Sequence, residues 1–418
     1  INVDRATHLQ GVKAVLTGQD IPQVRWGFEI LDQTALAIEK VRFIGEEIVA
    51  VAAVDEATAQ DAIELIQVDY EPLPEVFSPS EALAKNAPTI HEKQPDNCAS
   101  QLNIVHGDTK ASFDKAAAIH EESYHTPLQY QAYTEPIGSV AEVDPSGKIT
   151  IWSSTQSVFF TRARVAQALG IPESRVRVIQ PHVGGAFGGK WCDEPNAMLS
   201  ALLAKKTGRP VRLINTRLEE FQGGGHPRVP MRIDLKIAAD REGQILAKVT
   251  DILADAGAYT GWSARIMEAA AIRADSCYKL KNLQTRGRLA YTNNPPTGPF
   301  RGFGVPQMVF ALESCIDELG VKLNLDPVAI REVNAVSPGD VSVHGWKIQS
   351  CALKECIERA TAAAGWEEHK TYRKDKGKKR RGIGIACAIH VSGSRRGNWD
   401  GATAVSYTHL TLPTILLV

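Results

Sequence analysis

No two cysteines of this chain stand at Cys-x-x-Cys spacing, and the seven present (Cys98, Cys192, Cys277, Cys315, Cys351, Cys356 and Cys387) are odd in number and scattered. That excludes an encoded disulfide framework and leaves no ligand set for zinc or an iron-sulfur cluster. Redox chemistry here would have to send its electrons out through another polypeptide. An excess of charge of either sign is missing too. With 47 basic and 48 acidic residues the net charge is -1 and the pI about 6.9, so no basic field attracts nucleic acid or an anionic membrane. The local basic run at 374–381 reads as a solvated linker. No apolar run approaches the roughly 20 residues needed to cross a bilayer. No charged start followed by an apolar stretch marks a secretion signal, so a cytoplasmic location is expected. Repeats and low-complexity tracts are absent. What remains is 418 residues, 44% of them hydrophobic, enough for two to three domains with buried cores.

The most informative segment is Gly184-Gly185-Ala186-Phe187-Gly188-Gly189-Lys190, entered from a strand-like run at 176–180. Four glycines around one aromatic let the backbone pass close to a bulky ligand. The segment imitates a phosphate loop, but that chemistry needs a Ser or Thr hydroxyl directly after the lysine, and Trp191 stands there. A second loop, 295–307, contains Phe300-Arg301-Gly302-Phe303-Gly304. Arg301 offers a planar donor fork for oxyanions, and the two phenylalanines can wall a flat ring. Alone, this second segment fits a surface turn equally well.

Together with Ser154-Thr155-Gln156-Ser157 after a strand at 149–153, the two loops resemble the molybdenum-binding large subunit of the xanthine dehydrogenase and aldehyde oxidase family. The resemblance runs from the first residue to about residue 405. It implies a molybdenum-pterin cofactor, molybdopterin or its cytosine dinucleotide, cradled by Gln156, Gly185, Ala186, Phe187, Gly188 and Arg301. Gln156, Phe187 and Arg301 are placed beside the metal without ligating it, and Phe303 and Trp191 in the substrate pocket. Each assignment has a plainer counterpart, such as Gln156 capping the helix that follows or Phe303 filling a core. Cys192 is read as a packed small residue. The resemblance further implies hydroxylation of an aldehyde or aromatic N-heterocycle with water-derived oxygen. Electrons would leave to an iron-sulfur subunit and an FAD-binding subunit, in a dimer of heterotrimers.

Two departures narrow the substrate. Purine-oxidising members carry a glutamate after the loop lysine, where this chain has Trp191, and an arginine after a Met-Glu pair, where Met267-Glu268 is followed by Ala269. Without those two charges a hydroxypurine loses its hydrogen-bonding partners, and the larger apolar surface suits an aldehyde or aromatic compound. Glu194 lies three positions on, where a helix would turn it elsewhere. Two alternatives are reductive dehydroxylation of an aromatic acyl-CoA, as in 4-hydroxybenzoyl-CoA reductases, and a noncatalytic binding scaffold. The family's general-base glutamate matches no glutamate here and is expected beyond residue 405, so this chain is expected to form half a site and to show no turnover alone.

Periodicity gives the organisation of an α+β protein. Strands at 11–17 and 47–54, a helix at 56–66 with Asp55 as its cap, and a returning strand at 67–70 make a small unit at 1–74. The resemblance identifies it with a hammerhead-like α/β domain lacking its beginning. A connector at 75–103 leads to a larger mixed α/β domain at 104–366, the first molybdenum-cofactor-binding domain. Strands at 118–124, 138–143, 148–153, 210–214, 231–237 and 244–253 carry a turn at 240–243, with helices at 159–169, 194–206, 308–320, 326–334 and 351–364. Residues 367–405 begin a second cofactor-binding domain with a buried strand at 382–391. Residues 406–418 break in composition and read as a non-native tail.

Overall fold

A computed structural model of the chain describes residues 1–191, 195–370 and 382–390. Strands β1 (Val12–Thr17) and β2 (Val49–Ala53) pair antiparallel, from Val12 opposite Ala53 to Thr17 opposite Val49. Helix Glu56–Glu64 packs on β2. The Asp55 carboxylate accepts the Thr58 N–H at 2.8 Å, filling one of the donors that a helix start leaves open. The strand expected at 67–70 does not form. Gln67 makes only an isolated bridge to Asn2, and Tyr70, 61% exposed, has no sheet face to bury against. Residues 18–48 leave this small sheet and run onto the larger body, where the buried Asp32 accepts from Thr260 N, Thr260 Oγ1 and Tyr291 OH at 2.9, 2.8 and 2.9 Å.

Among the described residues nine further strands follow: β3 (Cys98–His106), β4 (Ala118–Thr126), β5 (Gly138–Val143), β6 (Ile149–Ser153), β7 (Val176–Ile179), β8 (Val211–Ile214), β9 (Met231–Ala239), β10 (Ile245–Gly257) and β11 (Asn282–Tyr291). The main sheet has the order β3-β11-β10-β9-β4. Its β9–β10 turn closes at Gly243, at φ +83, whose N–H donates to Asp240 O at 3.2 Å. Helices Ser263–Arg273 and Val305–Leu323 lie against this sheet. The second buries Val305, Met308, Leu312, Ile316 and Leu319, the three-and-four spacing of one apolar face. The other sheet has the order β7-β6-β5-β8. Helices Val158–Leu169 and Pro195–Thr207 pack on it, and their core is shared with β1 and β2. Gly170, at φ +64, ends the first of these helices, with Ile171 N donating to Ala166 O at 3.0 Å.

Two of the longer elements are unread in the sequence, β11 and helix Ser263–Arg273, as are short helical turns such as Asp4–Thr7 and Thr109–Phe113. The stretch read as a connector contains helix Pro79–Ala82 and the start of β3. Residues 382–390 alternate in exposure through the buried Cys387 but join no sheet among the described residues. The Cys387 N–H is spent on Glu313 Oε2 at 2.9 Å instead of on a neighbouring strand. The basic run at 374–381, the tail, Val391, Cys192 and Glu194 lie outside the described residues. Among those described, no helix is long and apolar enough to cross a membrane.

Candidate functional site

β6 and β7 are the parallel pair of their sheet, matched from Ile149–Val176 to Trp152–Ile179, so both chains leave the sheet at the same edge. Crevices outside the carboxyl ends of parallel strands are where α/β sheets commonly bind ligands. From β6 comes the turn carrying Gln156; from β7 comes the glycine loop. Gln180 Nε2 donates to Thr155 O at 2.6 Å, Gln156 N to Lys190 O at 2.7 Å, and Gly188 N to Gln156 Oε1 at 2.9 Å. Gln156 Oε1 is thus an anchor for the glycine loop, and no side chain caps the helix that starts at Val158.

The loop's tight path explains its composition. At Gly188 (φ +106) a Cβ would lie 2.4 Å from Pro299 O, and at Gly189 it would lie 2.6 Å from the Tyr133 ring. Neither position has room for a side chain. Lys190 does not point its charge at a ligand. Its fully buried ammonium pairs with Glu135 Oε2 at 2.7 Å and lies 4.8 Å from the Tyr133 ring centroid. Burial pushes the Glu135 carboxyl up, but the Lys190 ammonium and the Gly184 N–H outweigh it and hold the group below the usual carboxylate range.

The second loop arrives from β11. Thr297 Oγ1 donates to Asp255 O at 2.7 Å, and Gln131 Nε2 donates to Pro299 O, also at 2.7 Å. The loops then meet, with Arg301 N donating to Phe187 O at 2.9 Å. Phe187 and Phe303 take left-handed backbone conformations, φ 53 and 49. Such geometry is costly for bulky residues and persists where surroundings enforce it, often at functional sites.

Between the loops lies a cavity of about 900 Å³. Gln156, Phe187, Gly188, Trp191, Arg301 and Phe303 all line it; Gly185 and Ala186 do not. Phe187 is 49% exposed, and its N–H donates to no protein group among the described residues. The opposite wall is aromatic and centres on Trp262. Phe28 stacks on it with ring centroids 3.6 Å apart, and Phe160, Trp191 and Phe303 meet it edge-on at 5.7, 5.8 and 6.2 Å. The indole N–H groups of Trp191 and Trp262 are buried without an acceptor among the described residues, which leaves this wall with unused donors. Of the other cavity-lining residues, motif reading reaches Glu268 and Ala269 through the Met-Glu pair, but Phe28, Trp262, Arg265, Ile272 and Arg273 are invisible to it. Phe28 belongs to the excursion at 18–48, and only the fold brings it to Trp262. The cavity suits a flat, oxygen-bearing group larger than one ring, with glycine backbone on one side and aromatic faces on the other.

Comparison with known proteins agrees with this geometry. Residues 90–335 match the molybdopterin cofactor-binding domain family, and residues 1–74 match the aldehyde oxidase and xanthine dehydrogenase a/b hammerhead domain. The xanthine dehydrogenase molybdenum-binding subunit of Escherichia coli is 34% identical over 94% of this chain and 54% of its own length. The nicotinate dehydrogenase large molybdopterin subunit of Eubacterium barkeri is 33% identical over 87% of this chain and 85% of its own length. The solved aldehyde oxidoreductase of Desulfovibrio gigas superposes with a TM-score of 0.82 at 30% identity, covering 89% of this chain and 42% of that one. The chain therefore spans about half the length of the Escherichia coli relative.

Proposed function

The chain belongs to the molybdopterin-binding subunits of the xanthine dehydrogenase and aldehyde oxidase family, and on that premise we propose that its cavity seats the molybdenum-pterin cofactor beside an aldehyde or aromatic substrate that the complete enzyme oxidises with water-derived oxygen. One observation carries this reading: three segments far apart in sequence, around Gln156, Phe187 and Arg301 to Phe303, line a single cavity. The glycine positions, closed to any side chain, and the aromatic wall fit a large flat group. When bound, the cofactor supplies two-electron redox chemistry; the electrons pass on to iron-sulfur and flavin partners.

The chain's own residues bind and orient. With Gln156 Oε1 held by Gly188 N, its Nε2 is the end left to donate to a ligand oxygen. The Phe187 N–H is a second such donor. Arg301, on the exposed side of the loop contact, brings a permanent positive charge to the anionic cofactor. Phe303 and Trp191 hold a flat substrate, and their apolar surface excludes water from it. Xanthine fits poorly because Trp191 and Ala269 offer it no charged partner. The test is molybdenum analysis and substrate-dependent dye reduction by the complete, partner-assembled enzyme. Molybdenum bound with the large subunit, turnover of an aromatic aldehyde or N-heterocycle, and a lower kcat/KM in Phe303→Ala are expected. A preparation free of molybdenum, or one that oxidises xanthine in preference to the panel, would refute the reading.

A further inference from the structure

Helix Ser263–Arg273 turns one stripe toward the cavity. Arg265, Glu268, Ala269, Ile272 and Arg273 all line it, at the spacing i, i+3, i+4, i+7 and i+8 of a single helical face. The two arginines at its ends differ in their partners. Arg265 is compensated twice, by Glu29 at 2.5 Å and by Glu268 at 2.6 Å. Arg273 is half-buried and makes no hydrogen bond or ion pair among the described residues. Glu268, the carboxylate on its own stripe, is already engaged by Arg265. Burial holds the Arg273 pKa below its ordinary value and outweighs the opposing pull of the Glu268 carboxylate. The same cavity is lined by Ile104, Ile272 and Trp346 and by the polar side chains His106, His344 and His390, of which His390 is near enough to feel the Arg273 charge. One turn back, about 5–6 Å along the helix, stands Ala269, where purine-oxidising members of the family place their arginine. The stripe thus has no cation at Ala269 and carries one a turn later, at Arg273.

We propose that Arg273 is the anchor for a carboxylate on the substrate, which makes the preferred substrates aromatic or N-heterocyclic acids. The ring occupies the space that Ala269 leaves open beside Phe303, and the carboxylate reaches the guanidinium one turn further on. A planar donor fork recognises a carboxylate through two parallel N–H···O bonds. This rests on reading the cavity as the substrate site, and it adds a charge requirement that the aromatic wall alone does not impose.

The test uses the complete, partner-assembled enzyme and two probes of the same shape, benzoate and benzamide, with direct binding followed by calorimetry. Wild-type enzyme binds benzoate at least about tenfold more tightly than benzamide, as one charge-assisted pair implies. Arg273→Gln erases that preference and leaves the benzamide affinity within about twofold, while Arg273→Lys keeps part of it because the charge remains without the fork. Equal affinity of the wild type for both probes, or an equal loss for both in Arg273→Gln, overturns the proposal. So does a lowered melting temperature in Arg273→Gln with an unchanged probe preference, which would make Arg273 a structural tie to a carboxylate elsewhere. Binding is read without turnover. Failure of the oxidoreductase reading, scored by metal content and dye reduction, is therefore distinguishable from failure of this one.

Discussion

Replacing Gly188 with alanine tests whether contact between the two loops holds the cavity together. Two penalties combine at this position. The backbone sits at φ +106, where an L side chain costs about 1–3 kcal/mol. The new methyl would also lie 2.4 Å from Pro299 O and 2.7 Å from Pro299 C, an overlap relieved only by pushing the second loop away, at about 1–3 kcal/mol of overpacking. A control separates the two. Gly147 has a comparable φ of +81 with nothing within 4 Å of its would-be Cβ, so Gly147→Ala carries the backbone term alone. The expected result is that Gly188→Ala is destabilised by about 1–3 kcal/mol more than Gly147→Ala. Its hydrogen exchange should accelerate at the two amides that join the site, Gly188 N to Gln156 Oε1 and Arg301 N to Phe187 O. Denaturant titration gives the stability difference, and exchange followed by mass spectrometry on peptides spanning 184–190 and 299–304 gives the local one. Cofactor content of the complete enzyme should fall with it. If Gly188→Ala matches Gly147→Ala in stability and leaves exchange in both peptides unchanged, the loops are not coupled as argued.

The Lys190–Glu135 pair should respond asymmetrically. Glu135→Ala leaves a fully buried ammonium without its carboxylate and is expected to cost about 3 kcal/mol or more. Lys190→Met leaves a carboxylate that is 37% exposed and can rehydrate, so it should cost roughly 1 kcal/mol. Equal costs by denaturant titration would contradict the burial argument. His91 should make the protein acid-sensitive. Burial, against the bond from its ring to Ala258 O, depresses its pKa from 6.5 to about 4. The folded pKa lies below the unfolded one, so this stability is fully present above pH 6.5 and is lost as pH falls through 4, with an upper bound of about 3 kcal/mol. His91→Gln should flatten the slope of stability against pH in that window, and an unchanged slope would remove His91 as its source.

Much of the site was legible because its signals are local. Gly184 to Gly189 announce a close backbone approach by composition alone, and the strand-like run at 176–180 that enters them is β7. Helix Ser263–Arg273 was hidden for an equally physical reason. Its buried face is built from Ile266, Met267, Ala270 and Ala271, and alanine on both faces blurs the contrast that periodicity needs. β11 hides in the same way, since Thr285 and Gly287 share its inward face with Leu283 and Leu289. The strand expected at 382–391 joins no sheet over the described residues 382–390, for the opposite reason. Its alternation was real, but the Cys387 N–H is bonded to a carboxylate, and alternation predicts a strand only where a ladder partner is available.

The boundary near residue 74 marks a change of local pattern, yet it does not divide the site. Between β1 and β2 the chain departs for some thirty residues and delivers Phe28 to the face of Trp262 and Asp32 to Thr260 and Tyr291. Nothing local requires that excursion. Its own bridge, Trp26 to Gln33, is a single pairing; its ring contacts are made with the larger body, and hydrogen bonds at Asp32, Arg42 and Glu46 tie it there. A buried Asp32 would be expensive without its three donors, so the excursion is stable only where the larger body supplies them. The same contact completes the aromatic wall behind the ligand. Binding strength in the cavity and attachment of the first 74 residues are therefore one packing problem, and a change at Trp262 should be felt at both.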